Sequence, residues 1–200
     1  MANHPLFLLH FYQHLDQCMI QVHQLENEGL WYDCITFHGH SCPGLAIGFR
    51  VVELAAHTLD FRLEKVLDEE LVCIAENDSC AVDAIQSLLS CTVGKGNLIL
   101  RPYGKQAYTF FNRKNGDGVR IVVRPFERVA DREVMISQIL SSTLEDLMEI
   151  KTPLEALPGE ARMFDSVLCD SCGEQCREDK IRLQEGRRLC LTCHRPYDRG

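Results

Sequence analysis

Two Cys-x2-Cys pairs near the end of the chain, Cys169/Cys172 and Cys190/Cys193, constrain it more than any other feature. Residues 173–189 separate them, a spacing at which two turns bring four sulfurs to the corners of one tetrahedron. Such a set suits zinc, and because protein fills every position the ion is structural, with no place for a reactant. The intervening arm, with Arg187 and Leu189 before the second pair, is short enough for a hairpin, and Gly173 and Gly186 suit its turns. Cys176 and His194 stand close by as alternative ligands. A module of about 30 residues has too little core to fold alone, so metal binding supplies much of its folding energy.

The chain carries eleven cysteines. Met1–Phe11 has neither a basic leader nor a small-residue cleavage site, and no nonpolar stretch reaches the roughly 18 residues of a membrane span. These features predict a cytoplasmic protein, without a membrane partner, whose cysteines are thiols or metal thiolates. A net charge of -8 argues against direct nucleic-acid binding. Arg182, Arg187, Arg188, Arg195 and Arg199 form a local exception, offset by Asp170, Glu174, Glu178, Asp179 and Glu185.

Apolar periodicity predicts an opening helix over Leu6–Leu25 that stops at Gly29, a short strand over Tyr32–Phe37, and a helix from about Gly44 to Leu59 led by Pro43. Leu71–Ala75 reads as a strand, followed by Asn77, Asp78 and Ser79 as caps of a second helix. Residues 97–101, 106–113 and 119–125 are strand-like, with Asn115-Gly116-Asp117-Gly118 as a hairpin turn. Asp131 opens a long amphipathic helical pattern that runs to Met148. This pattern predicts a core domain over residues 1–150, a linker over 151–165 and the four-cysteine module over 166–200.

The core has a second chemical feature. His38, His40 and Cys42 alternate within His38-Gly39-His40-Ser41-Cys42-Pro43-Gly44, so an extended chain turns all three to one side. Cys42 and Cys80 each begin a predicted helix, where unsatisfied N–H groups favour a thiolate, and the two helix starts are candidates to meet at one sheet end. Imidazole and thiolate ligands suit zinc, nickel, copper or iron. Asp83 and Gln86 are candidates to line the same cleft, with Glu76 or Asp83 as a proton acceptor. Cys18, Cys34, Cys73, Cys91 and His57 read as structural, and Gly94-Lys95-Gly96 as a plain turn lacking a full phosphate-loop pattern.

The stretches FHGHSCPGLAIGFRVVELA and AENDSCAVDAIQSLLSCTVGKGNL, with the CxxC pairs after them, resemble the FmdE family of formylmethanofuran dehydrogenase over residues 30–125. The tail resembles a DksA/TraR-type zinc finger. The resemblance implies an α+β core with a mixed or antiparallel sheet, a treble-clef or zinc-ribbon-like tail, and a homodimer. It also implies a cleft metal on His38, His40 and Cys42, with Cys80 at the family's DxC position, and a molybdenum or tungsten enzyme as partner. The expected function is that of a metal-binding accessory protein. A metal-dependent hydrolytic or redox enzyme and a zinc-finger regulator are the alternatives.

Overall fold

The computed structural model describes residues 28–63, 69–127 and 129–199. The expected opening helix and Cys18 lie outside the described residues. The chain divides into two compact units, Met1–Glu160 and Ala161–Gly200.

Residues 28–38 are helical (α1), Gly29 included, where the sequence predicts a strand over Tyr32–Phe37. The period explains the difference. Trp31, Cys34, Ile35 and His38 recur three and four apart, and that spacing outweighs the β propensity of individual residues. Cys34 is fully buried and Trp31 packs edge-on against Phe49 with ring centroids 5.6 Å apart, while Tyr32 and Phe37 are 68% and 55% exposed.

Helix α2 (Pro43–Thr58) begins with proline in its first turn, where a missing N–H leaves no bond unmade. Strand β1 (Leu71–Ala75), helix α3 (Ala81–Leu89) and strand β2 (Leu98–Leu100) then form a crossover in which β1 and β2 pair parallel. Strands β3 (Ala107–Asn112) and β4 (Gly118–Val123) make the expected antiparallel hairpin, with Gly116 at φ 79° in its turn. Helix α4 (Arg132–Ser141) starts at Asp131, whose carboxylate accepts the Val134 N–H. The pattern that predicts one helix to Met148 is broken in the structure. Ser142 and Thr143 are extended, the Thr143 hydroxyl caps the short α5 (Leu144–Leu147), and Met148 begins strand β5 (Met148–Lys151).

The sheet order is β2-β1-β3-β4-β5, parallel at β1/β2 and antiparallel elsewhere. This is the expected α+β architecture with a mixed sheet. One face carries the main core, in which Leu45, Phe49, Val52, Ile85 and Leu89 join Leu71, Cys73, Tyr108, Phe110 and Ile121. Val72, Ile74 and Phe111 form a separate cluster, covered by Ile99 and by Leu157 from the segment after β5. The Arg113 guanidinium fastens that segment by donating to the carbonyls of Pro158 (2.8 Å) and Gly159 (3.2 Å). With both faces covered, β1 is buried at every position instead of alternating. Arg120 donates to Glu76 Oε1 at 2.6 Å, and Lys105 Nζ stands 3.8 Å from the other oxygen. The Arg120 bond holds the 4% exposed Glu76 carboxyl below its ordinary pKa.

In the second unit, β6 (Ser166–Leu168) pairs with β7 (Gln175–Arg177), and β8 (Ile181–Gln184) with β9 (Arg187–Cys190). Glu185 and Gly186 both have positive φ, 53° and 74°, which gives the two-residue turn that matches strand twist.

Candidate metal centres

The His38, His40 and Cys42 ligand atoms all lie within 4.8 Å of one another. Their convergence does not come from an extended strand. His38 ends α1, Gly39 reverses the chain at φ 90°, and Cys42 caps α2, with the Leu45 N–H donating to its sulfur at 3.2 Å. Only glycine enters that left-handed region without steric cost. The His38 and His40 rings lie 4.5 Å apart, and Cys42 Sγ is 3.7 Å from His38 Nε2.

Cys80 stands beside Cys42 but outside the mutual group of three. Two glycines on one face of α2 let α3 approach this closely. A Cβ on Gly44 would meet Cys80 Cβ at 3.0 Å, Cys80 Sγ at 3.7 Å and Cys42 Sγ at 3.9 Å. The polar residues before α3 shape its approach and do not cap it. Asn77 Oδ1 accepts from both the N–H and the hydroxyl of Ser79, and its Nδ2 donates to the Lys105 carbonyl. Cys80 is the cap residue, with no capping bond from its sulfur. Desolvation, then the neighbouring Cys42, raises its pKa, the reverse of the thiolate expected at a helix start.

Asp83 reaches the His38–Cys42 group from the first turn of α3. Its Oδ2 lies 2.7 Å from His38 Nδ1, and its Oδ1 accepts from Gln86 Nε2 at 3.1 Å. Arg132 donates to the Ser41 carbonyl and ties the cleft loop to α4. Glu76, the other carboxylate considered for the cleft, is taken up by Arg120. Two imidazole nitrogens and one or two sulfurs, with a carboxylate behind one imidazole, form a donor set that fits a transition ion.

Cys34, Cys73 and Cys91 are fully buried in the main core, as expected for structural thiols. Burial pushes Cys34 and Cys91 up to about 12 and raises Cys73 as well. His57 is exposed in the last turn of α2, and Lys95 lies in a turn whose N–H groups bond to Thr92 and Val93.

In the tail, the sulfurs of Cys169, Cys172, Cys190 and Cys193 all lie within 4.8 Å of one another. Backbone N–H groups of Cys172, Cys190 and Ser171 point at Cys169 and hold its thiol down at about 6. The Thr192 hydroxyl, then the Cys193 amide, lowers Cys190 as well. Cys176 and His194 are not in the group. Cys176 faces Val167 in the β6–β7 pairing and its sulfur approaches the Lys180 carbonyl, while the His194 N–H donates to Cys190 O. Four clustered sulfurs with amide donors behind them are a metal-binding arrangement of zinc-ribbon type.

The model of the family described as FmdE, molybdenum formylmethanofuran dehydrogenase operon, matches residues 37–157. The chain belongs to the FmdE family. The matched span includes the cleft residues from His38 to Asp83, and the four tail cysteines lie beyond it. A solved protein from Syntrophus aciditrophicus, described as tungsten formylmethanofuran dehydrogenase FmdE-like, superposes with a TM-score of 0.61 at 25% identity. That superposition covers 84% of this chain and 91% of the other. An Archaeoglobus fulgidus protein named "Probable S-adenosyl-L-methionine-binding protein" is 29% identical over 191 residues, covering 80% of this chain and 51% of that one. The chain thus spans about half the length of this curated relative. Among the described residues no helix is long and apolar enough to cross a membrane.

Proposed function

We propose that this chain is a metal-binding accessory protein with two sites of different kinds. His38, His40 and Cys42 hold a transition ion in the cleft and Cys80 completes the set, whereas Cys169, Cys172, Cys190 and Cys193 hold a structural zinc ion. One observation carries the reading: three soft and borderline donors within 4.8 Å of one another at a helix junction built around a positive-φ glycine. The cleft ion supplies a Lewis-acidic centre when bound, and nickel, iron and zinc suit these donors. The protein's own part is to fix the donors, through the Gly39 turn and the α2–α3 contact. The family description, which names a molybdenum enzyme's operon, supports a molybdenum or tungsten enzyme as the partner; the reading takes the chain to be a cytoplasmic homodimer. In this reading the core expected over 1–150 and the zinc module expected over 166–200 are joined by the linker expected over 151–165, whose first part packs on the sheet through Leu157.

Exposure of His40 and Cys80 favours a second reading, in which the cleft ion keeps an exchangeable position and serves a hydrolytic or redox reaction. Metal content per chain tests the first reading, on protein purified without added metal. Two ions are expected, one lost in His40→Ala/Cys42→Ala and the other in Cys169→Ala/Cys172→Ala. A single ion, lost only with the tail change, would overturn the cleft site. An exchangeable water on a bound cleft ion separates the second reading from a fully protein-ligated site.

A further inference from the structure

We infer that Asp83 is a positioning residue for the cleft site: by holding His38 through Nδ1 it presents Nε2 as the ligating atom. The inference rests on the cleft reading proposed above and deepens it.

An ionised carboxylate only accepts hydrogen bonds. In a neutral imidazole, Asp83 Oδ2 at 2.7 Å from Nδ1 favours the tautomer with the ring proton on Nδ1 and the lone pair on Nε2. Nε2 is also the His38 atom that lies 3.7 Å from Cys42 Sγ, so the free lone pair faces the thiol. With the proton on Nε2 instead, the nitrogen that faces Cys42 would have no lone pair to offer an ion.

The carboxylate is itself held. Gln86 Nε2, one turn further along α3, donates to Oδ1 at 3.1 Å, so the two oxygens have separate partners and the group cannot swing without breaking both bonds. His38 is 11% exposed and Asp83 33% exposed, which places the contact at the inner edge of the cleft, where water competes weakly for Nδ1. The link joins elements far apart in sequence, the end of α1 and the first turn of α3. Because α3 also brings Cys80, one helix start delivers both a thiol and the carboxylate that sets the tautomer of the imidazole opposite. Outer partners of this kind are worth about 10- to 100-fold in metal affinity.

The test measures Co2+ affinity of the full chain by competition with a chromophoric chelator, together with the ligand-field spectrum of the bound ion. Asp83→Ala should weaken the cleft by about 10- to 100-fold and shift its bands, with the tail site unchanged. Asp83→Asn, whose side-chain oxygen still accepts from Nδ1–H, should recover most of the affinity and the wild-type bands. Wild-type affinity and spectrum in Asp83→Ala would overturn the inference and leave the cleft site standing. A wild-type chain with no Co2+ that is lost in His40→Ala/Cys42→Ala overturns the cleft reading instead. A measurement on the wild-type chain is immune to misfolding of the variants: nitrogen-15 shifts of His38 in Zn2+-loaded protein should show Nδ1 protonated and Nε2 coordinated. The reverse assignment would overturn the inference.

Discussion

Gly48 of α2 lies against the backbone of α3 so closely that a Cβ on it would fall 2.2 Å from the Ala81 carbonyl oxygen. Backbone, unlike a flexible side chain, cannot swing away, so Gly48→Ala pushes α3 outward. We expect a loss of about 1–3 kcal/mol in unfolding free energy, the range for overpacked cores. The cleft should also lose metal affinity, because Cys80 and Asp83 ride on the displaced helix. Denaturant unfolding and chelator competition on the same variant check both effects. Unchanged cleft affinity would show that the helix contact does not set the site.

Metal removal should unfold the second unit and leave the core sheet folded. Its buried cluster consists of Leu189 with Cys169 and Cys190, too little apolar area to hold four short strands without an ion. Chelation should collapse the amide shift dispersion of residues 166–193 while the core sheet keeps its own. Dispersion retained in the tail after full metal loss would contradict a metal-dependent fold.

The Glu76–Arg120 pair sets an acid limit on the core. Arg120 lowers the folded-state pKa of Glu76 below its ordinary value of 4.5, so its contribution is fully present above 4.5 and is lost as pH falls through the folded value. Glu76→Gln leaves Arg120 buried without its counter-ion and should lose about 3–5 kcal/mol at pH 7. The gap between wild type and variant should narrow as pH falls below 4.5 and through the lowered folded-state value. Urea melts across that window decide it, and a gap independent of pH would remove the ion pair as its cause.

Thiol labelling separates core cysteines from site cysteines. Cys34, Cys73 and Cys91 are buried, with pKa values raised by that burial, and should resist brief iodoacetamide treatment at pH 8. Exposed Cys80 should label first among the described core cysteines in metal-free protein and become protected when the cleft is loaded, as mass spectrometry of peptides would report. Equal labelling with and without metal would remove Cys80 from the ligand set.

The elements that the sequence reveals are those whose local pattern agrees with their surroundings. Leu71–Ala75, the hairpin at Gly116 and the four tail cysteines fall in this class. Tyr32–Phe37 does not, because its β-forming residues are the exposed ones and its helical period is carried by Trp31, Cys34 and Ile35. Strand β5 is hidden inside a helical period that continues through Leu144 and Leu147, although Thr143 marks the break. The His38–Cys42 cluster is legible from spacing, yet the turn that assembles it depends on the φ of Gly39, which composition alone does not give. Asp83 shows the remaining limit. Its position near Cys80 is visible on a helix, but its partner His38 is 45 residues away and pairing at that range is a property of packing.

The two candidate metal groups differ in what their assembly depends on. Cys169 and Cys193 close one short loop, so the tail ligands meet by local diffusion at small entropic cost and without help from the core sheet. His38, His40 and Cys42 are closer still in sequence, but Asp83, which holds His38, is 45 residues away and arrives only when α3 packs on α2. Non-local pairing of this kind forms slowly. An ion held at the His38 group with the help of Asp83 would therefore report a core that has already folded.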